Sequence, residues 1–307
     1  MRLEKSIVWL AWITVLLTVV MAGMGLFWLD DGVVFETTNV RGRTVEIFGQ
    51  GLYKHDSLFS AAGFRGTDLV TLVVAVPLLI YAIVSYQRGS LRGGLLLTAM
   101  LSYCLYYAAS MAFGAFYNIL LLVYTAALGV SLNAFILTVL AVDRQTLARR
   151  IAVTMPRKAI GRFLVAAGII VAMVWLSGII PSLISGEAPE VAGHYTTIIT
   201  YPLDLGLIAP YAVVAGVLVL RRAPIGFVFA APMLVLCALI GLVVVAQTVF
   251  QLNAGVQLTA GEAIIYVVSF LSMALVAGWL SIAFFRGIAD STEPIKYTKP
   301  SLQGSRR

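Results

Sequence analysis

Residues 201–226 read YPLDLGLIAPYAVVAGVLVLRRAPIG: an acid, a long apolar run, then Arg221-Arg222 and a Pro-Gly start to the next segment. About twenty apolar residues are what a helix needs to cross hydrocarbon, with its charges kept in water at both ends. A chain in lipid has no water to satisfy its backbone, so such a run is confined to helix. The same layout occurs earlier over residues 68–93, from Asp68 to the basic pair Arg88 and Arg92.

Eight runs of this kind are expected. The first, residues 7–29, carries no charge over 23 positions. The apolar core of a signal peptide is about 7–15 residues, so a retained helix is the expectation. Cleavage at Ala22-Gly23 is the alternative and would leave seven spans. The others cover residues 68–86, 94–116, 118–142, 163–185, 204–220, 224–250 and 263–285. The sequence therefore predicts an all-α polytopic membrane protein. Composition agrees, because only 11% of residues are charged while 61% are hydrophobic. A soluble domain needs about 25% charged residues to cover its surface.

Charge distribution orients the chain. Seventeen of the 21 Lys and Arg fall at one end of the spans, and ten of the 14 acids at the other. That is the positive-inside bias, which predicts a bacterial inner-membrane protein with both termini cytoplasmic. It argues against a nucleic-acid patch as the use of the +7 net charge.

The polar segments divide the chain into residues 1–142, 143–162, 163–286 and 287–307. Residues 30–67 form the longest outer segment. Its stretch 33–48 alternates, with turn chemistry at Asn39 and Gly42, and predicts a β-hairpin. Asp56 is placed to cap a short helix over residues 57–62 that ends at Gly63. Residues 143–162 carry Arg144, Arg149, Arg150, Arg157 and Lys158, with Leu147, Ile151 and Met155 at helical spacing among them. An interfacial helix lying on anionic lipid is the expectation, and a site for a protein partner the alternative. Residues 186–200 return to the outside with Glu187, Glu190 and His194. Residues 259–262 have capping-box spacing before the eighth span. The tail from 287 has the composition of a disordered segment.

An offset of 133 residues superposes the chain on itself. It pairs Pro77 with Pro210, Ala82 with Ala215, Val84 with Val217, Arg88 with Arg221 and Gly93 with Gly226. It also pairs Met100, Leu101 and Cys104 with Met233, Leu234 and Cys237. Eight identities over 28 ungapped positions compare with about three from a composition this biased. The reading is two parallel four-helix halves related by an axis along the membrane normal.

Chemistry-bearing residues are few. Asp68 and Asp204 sit at the expected outer starts of spans, where a carboxylate can cap a helix. The functional alternative makes them a pair that holds a cation or relays a proton. Pro77 and Pro210 each free a carbonyl one turn earlier and can kink a helix around a site. Tyr103, Tyr107, Ser110, Gly114 and Tyr117 share a face of the third span. Tyr124, Ser131 and Asn133 line the fourth. Polar groups at that depth must find partners, so these faces are expected to look inward, either bonding between helices or forming an aromatic pocket. Cys104 and Cys237 lie in apolar runs and read as core residues. His55 and His194 lie 139 residues apart, a separation that gives no support for a zinc site. No nucleotide, metal or cofactor motif is present.

The combination HYTTIITYPLDLGLIAP and VLVLRRAPIGF, with WLSGIIPSLISGEAP upstream, resembles a group of bacterial polytopic integral membrane proteins. The resemblance runs from about Gly51 onward and implies the membrane fold, without transferring an activity or a site residue. A carrier or channel for a small solute or ion is the leading expectation. A non-catalytic accessory, sensor or assembly subunit, acting with a membrane partner or a second copy, is the alternative. An enzyme acting on lipid or quinone lacks the clustered His and Asp such sites need.

Overall fold

In the computed structural model, residues 4–257 and 260–290 are described. The protein is an all-α polytopic membrane protein. Its eight membrane-crossing helices are α1 (Lys5–Phe27), α2 (Leu58–Gln87), α3 (Leu91–Gly114), α4 (Leu121–Ala141), α6 (Arg157–Ser185), α7 (Thr200–Leu220), α8 (Pro224–Asn253) and α9 (Ala260–Arg286). A short α5 (Arg144–Arg150) precedes α6. Strands β1 (Phe35–Thr38) and β2 (Thr44–Ile47) form an antiparallel hairpin. Its turn uses Asn39, whose Oδ1 accepts from the amides of Arg41 and Arg43, and Gly42 at φ +76°. The hairpin end is thus set apart from the opposite, basic end.

The helices are dressed for lipid. Leu16, Leu122, Leu183 and Leu275 point outward, while Thr14, Thr18, Asp68, Thr71, Ser131 and Thr138 turn in. Helices α3 and α8 occupy the centre, with 67% of the apolar window of each buried, against 17% for α6. The two central helices touch each other, α4 packs on α3, and α9 packs on α8. Helix α2 divides its contacts, its hairpin-end half lying on α8 and its basic-end half on α3.

Helix α2 begins ten residues before its expected start. Ser57, not Asp56, is its cap, its side chain accepting from the amide of Ser60. Gly63 does not end a separate helix. Gly63 and Gly66 instead lie on α8, and at Gly66 even a Cβ would sit 2.5 Å from the backbone nitrogen of Gln247. These glycines serve close helix approach rather than a stop.

Identical backbone events recur 133 residues apart. Helix α2 widens into a π-turn at Thr71–Ala75 and α7 at Asp204–Ile208. In each, an amide bonds five residues back, Val76 to Thr71 and Ala209 to Asp204, immediately before Pro77 or Pro210. A proline lacks the amide that an α-turn would use there, and the wider turn absorbs the mismatch. The prolines thus act through π-turns rather than as simple kinks. At the basic end, Arg88, Gly89 and Ser90 donate to Val84, Tyr86 and Ser85; Arg221, Arg222 and Ala223 donate to Val217, Val219 and Leu218. The left-handed residue is Gly89 (φ +79°) in one turn and Arg222 (φ +61°) in the other.

The basic segment differs from its expectation. Helix α5 stops at Arg150, and Ile151 bridges to Ile288. Leu147 and Met155 are buried against the protein, so the apolar stripe is used internally and does not face lipid. Arg150 donates to the carbonyl of Asp290 at 2.6 Å. Ser90 Oγ and the Leu91 amide bond the Asp290 carboxylate at 2.7 and 2.9 Å. Arg144, Arg149 and Lys158 remain exposed, and Arg157 is half-buried. Thr259, the cap of the expected box at 259–262, and the tail beyond 290 lie outside the described residues.

Candidate functional site

Asp68 is not a helix cap. It lies ten residues inside α2, fully buried. Its carboxylate accepts from Tyr53 Oη at 2.8 Å and from Tyr107 Oη at 2.5 Å. Tyr53 comes from the one-turn helix Gly51–Tyr53 that follows the hairpin, and Tyr107 from α3. Gly25 of α1 closes the site so tightly that a Cβ there would strike the Asp68 carboxylate and the Tyr53 hydroxyl. One turn along α2, Thr71 Oγ1 and Tyr103 Oη are 2.8 Å apart, both buried.

Asp204 also lies within its helix, as the first residue of the π-turn. It accepts from Tyr106 Oη and from Trp175 Nε1, each at 2.8 Å. Trp175 of α6 packs on Tyr201 at 5.2 Å between ring centroids. Consecutive tyrosines of α3 therefore serve different acids: Tyr106 reaches α7 and Tyr107 reaches α2. Successive residues of an α-helix point about 100° apart, so α3 stands between the two carboxylates and joins them.

All four donors to these acids are neutral. Neither acid belongs to an ion pair among the described residues. Phenols and an indole bring hydrogen bonds without a counter-charge, and Arg65, one turn back on α2, acts on Asp68 only through space; a buried carboxylate so held is suited to taking a proton or a cation. Two further buried hydroxyls lie beside the cluster, Tyr124 Oη next to Asn118 and Tyr53, and Ser110 Oγ next to Tyr106.

The structure thus brings Asp68, Tyr103 and Tyr107 together, with Tyr124 buried nearby, and links Asp204 to them through Tyr106. It does not bring in Asn133. That side chain is exposed, its amide donating to the Gly129 carbonyl at 2.8 Å. Tyr117 lies beyond the end of α3 and is also exposed. Tyr53, Tyr106 and Trp175 were not legible as partners. Tyr106 lies off the stripe of Tyr103, Tyr107 and Ser110, and the other two are distant in sequence.

At the hairpin end the loop between α6 and α7 is clasped onto the first half. Asn39 donates to the Gly193 carbonyl at 2.7 Å, and Arg43 pairs with Glu187 at 3.0 Å. His194 Nε2 lies 2.9 Å from the His55 carbonyl, so the two histidines meet through backbone. Tyr195 Oη and the Phe116 amide both donate to buried Asp56, at 2.8 and 3.0 Å. Burial lifts the Asp56 carboxyl from 3.8 to about 6, although both donors oppose the rise. Burial also lowers His194, against its contact with His55.

The signs follow. Between pH 3.8 and about 6 the docked form keeps a proton on Asp56 that the undocked form releases, so docking weakens as pH rises through that window. His194 acts oppositely: the undocked ring takes a proton first, so docking weakens as pH falls below about 6.5. Asp56→Asn removes only the first effect. Native clasp stability should therefore exceed that of the variant by about 1 kcal/mol more at pH 5 than at pH 7.5. Proteolysis of the loop over that pH range measures it; equal pH profiles would refute the assignment.

Fold and site together define a multi-pass helical membrane protein with a buried polar centre. No family model, curated protein or solved structure matches the chain.

Proposed function

We propose that the protein is a carrier for a small solute or ion, in which Asp68 and Asp204 are the exchangeable proton or cation sites. The observation that carries the reading is the pair of carboxylates joined by Tyr106 and Tyr107, each held by neutral donors alone. The π-turns support it, since such turns are places where a helix is already broken and can rearrange. So does the 133-residue recurrence, which we take as two parallel four-helix halves, residues 1–142 and 163–286. The hairpin end is assigned to the outside of a bacterial inner membrane and both termini to the cytoplasm, from the 17 of 21 bases at the other end. Exposed Arg144, Arg149 and Lys158, with Arg157, are assigned to anionic lipid headgroups there; Arg150 is already engaged by Asp290.

Reconstituted vesicles with an inward proton gradient test the proposal against a panel of labelled amino acids, organic acids and inorganic cations. Native protein is expected to accumulate at least one solute. Asp68→Asn and Asp204→Asn should each lower that uptake more than tenfold. Uptake undiminished in both variants, or none for any solute, would sink it.

A further inference from the structure

The hairpin end holds a half-open cavity of about 300 Å³ lined by α2, α8 and the residues flanking the hairpin. Val34, Phe48, Leu58 and Phe250 give it apolar walls, and Gln50 and Asn253 supply amides at its rim. Arg65 is the charged residue in it. The guanidinium carbon lies 5.9 Å from the Phe48 ring centre and 5.5 Å from that of Phe250. Two rings hold the cation in place without neutralising it.

Arg65 is underused for a residue so placed. A guanidinium has five donors. Among the described residues Arg65 makes one hydrogen bond, to the Leu26 carbonyl at 3.2 Å, which caps the end of α1. Its Nε is buried with no acceptor, and it belongs to no ion pair among the described residues. Asp68, one turn along α2, is occupied by Tyr53 and Tyr107. Asp68 acts on Arg65 through space without giving it an acceptor, so an anion entering this half-open pocket would supply the hydrogen bonds the guanidinium does not make.

We infer that this cavity binds a monocarboxylate with an apolar body, its head on Arg65 and its body against Phe48, Leu58 and Phe250. The planar fork of a guanidinium matches a carboxylate with two parallel hydrogen bonds. Arg65 is the one cation lining the pocket and can balance one negative charge, so a dianionic phosphate would bring an uncompensated second charge. An amine would face Arg65 as a like charge. The volume is at the small end of ligand pockets, about 300–1,000 Å³, and sets a medium-chain or single-ring acid as the size. The inference names a substrate class for the mouth of the carrier proposed above and rests on that reading for its purpose, but binding itself is measurable without flux.

The test uses the full chain in phosphatidylcholine nanodiscs, with labelled octanoate and empty nanodiscs as the blank. Octanoate should bind saturably above the blank, displaced by benzoate but not by octanol or octylamine. Arg65→Gln should weaken binding at least tenfold, and Arg65→Lys should retain part of it. Ala62→Phe, which fills the cavity and spares Arg65, should also abolish binding, so a folding failure of one variant leaves the other decisive. Binding no greater than the blank, equal displacement by octanol, or binding unchanged in Arg65→Gln or Ala62→Phe would overturn the inference. Octanoate binding without uptake of any solute would leave this site standing and defeat the carrier; uptake without octanoate binding would do the reverse.

Discussion

Gly66→Leu is expected to leave little folded protein in the membrane. A Cβ at Gly66 would lie 2.5 Å from the Gln247 nitrogen, 2.6 Å from its Cα and 2.7 Å from the Ala246 carbonyl carbon. All three are backbone atoms of α8, so nothing can rotate aside; the helices must part. Parting them also breaks the Gln247–Thr67 bond at 2.9 Å and the Gln251–Phe59 bond at 3.1 Å. Overpacking in a core typically costs 1–3 kcal/mol where side chains can yield, so a backbone clash should cost about 3 kcal/mol or more. Gly63→Ala is the control. Its Cβ meets only side-chain atoms, the Gln251 amide at 3.3 Å and Gln247 Cγ at 4.0 Å. Size-exclusion recovery after heating should collapse for Gly66→Leu and stay near native for Gly63→Ala. Equal recovery of the two would show that α2 and α8 do not pack as described.

What the sequence revealed follows a physical boundary. Crossing helices, the hairpin and the basic turns are set by local hydropathy, turn chemistry and charge, and these were legible. The misreadings concern direction around a helix. Tyr124 and Ser131 are seven residues apart and both bury, but Asn133 lies two further on, about 200° round the helix, and so points away. Tyr106 adjoins Tyr107 yet serves another helix for the same reason. Glycine misled in the opposite way: Gly63 carries the signature of a helix stop, while in lipid its absent side chain, like that of Gly66, admits a neighbouring helix. The clasp of Tyr195 on Asp56 spans 139 residues and leaves no periodic trace. The offset of 133 does not pair Asp68 with Asp204. It pairs Asp204 with Thr71, and these two positions share a role, each reaching a tyrosine of α3.

Asp68→Leu should abolish solute uptake, and its partners separate that loss from mere instability. Removing the carboxylate leaves the hydroxyls of Tyr53 and Tyr107 buried without acceptors, at about 1–3 kcal/mol each. The single variant should therefore be both inactive and markedly less stable. Replacing both tyrosines by phenylalanine in the same chain removes the orphaned donors, and exchanging donor and acceptor together for apolar groups is close to neutral. Asp68→Leu/Tyr53→Phe/Tyr107→Phe should regain most of the lost thermal stability, with uptake still at background. A purely structural Asp68 predicts otherwise: uptake would return with stability. Recovery of both in the triple variant would show that the acid exists to satisfy two tyrosines, and would remove Asp68 from the transport path.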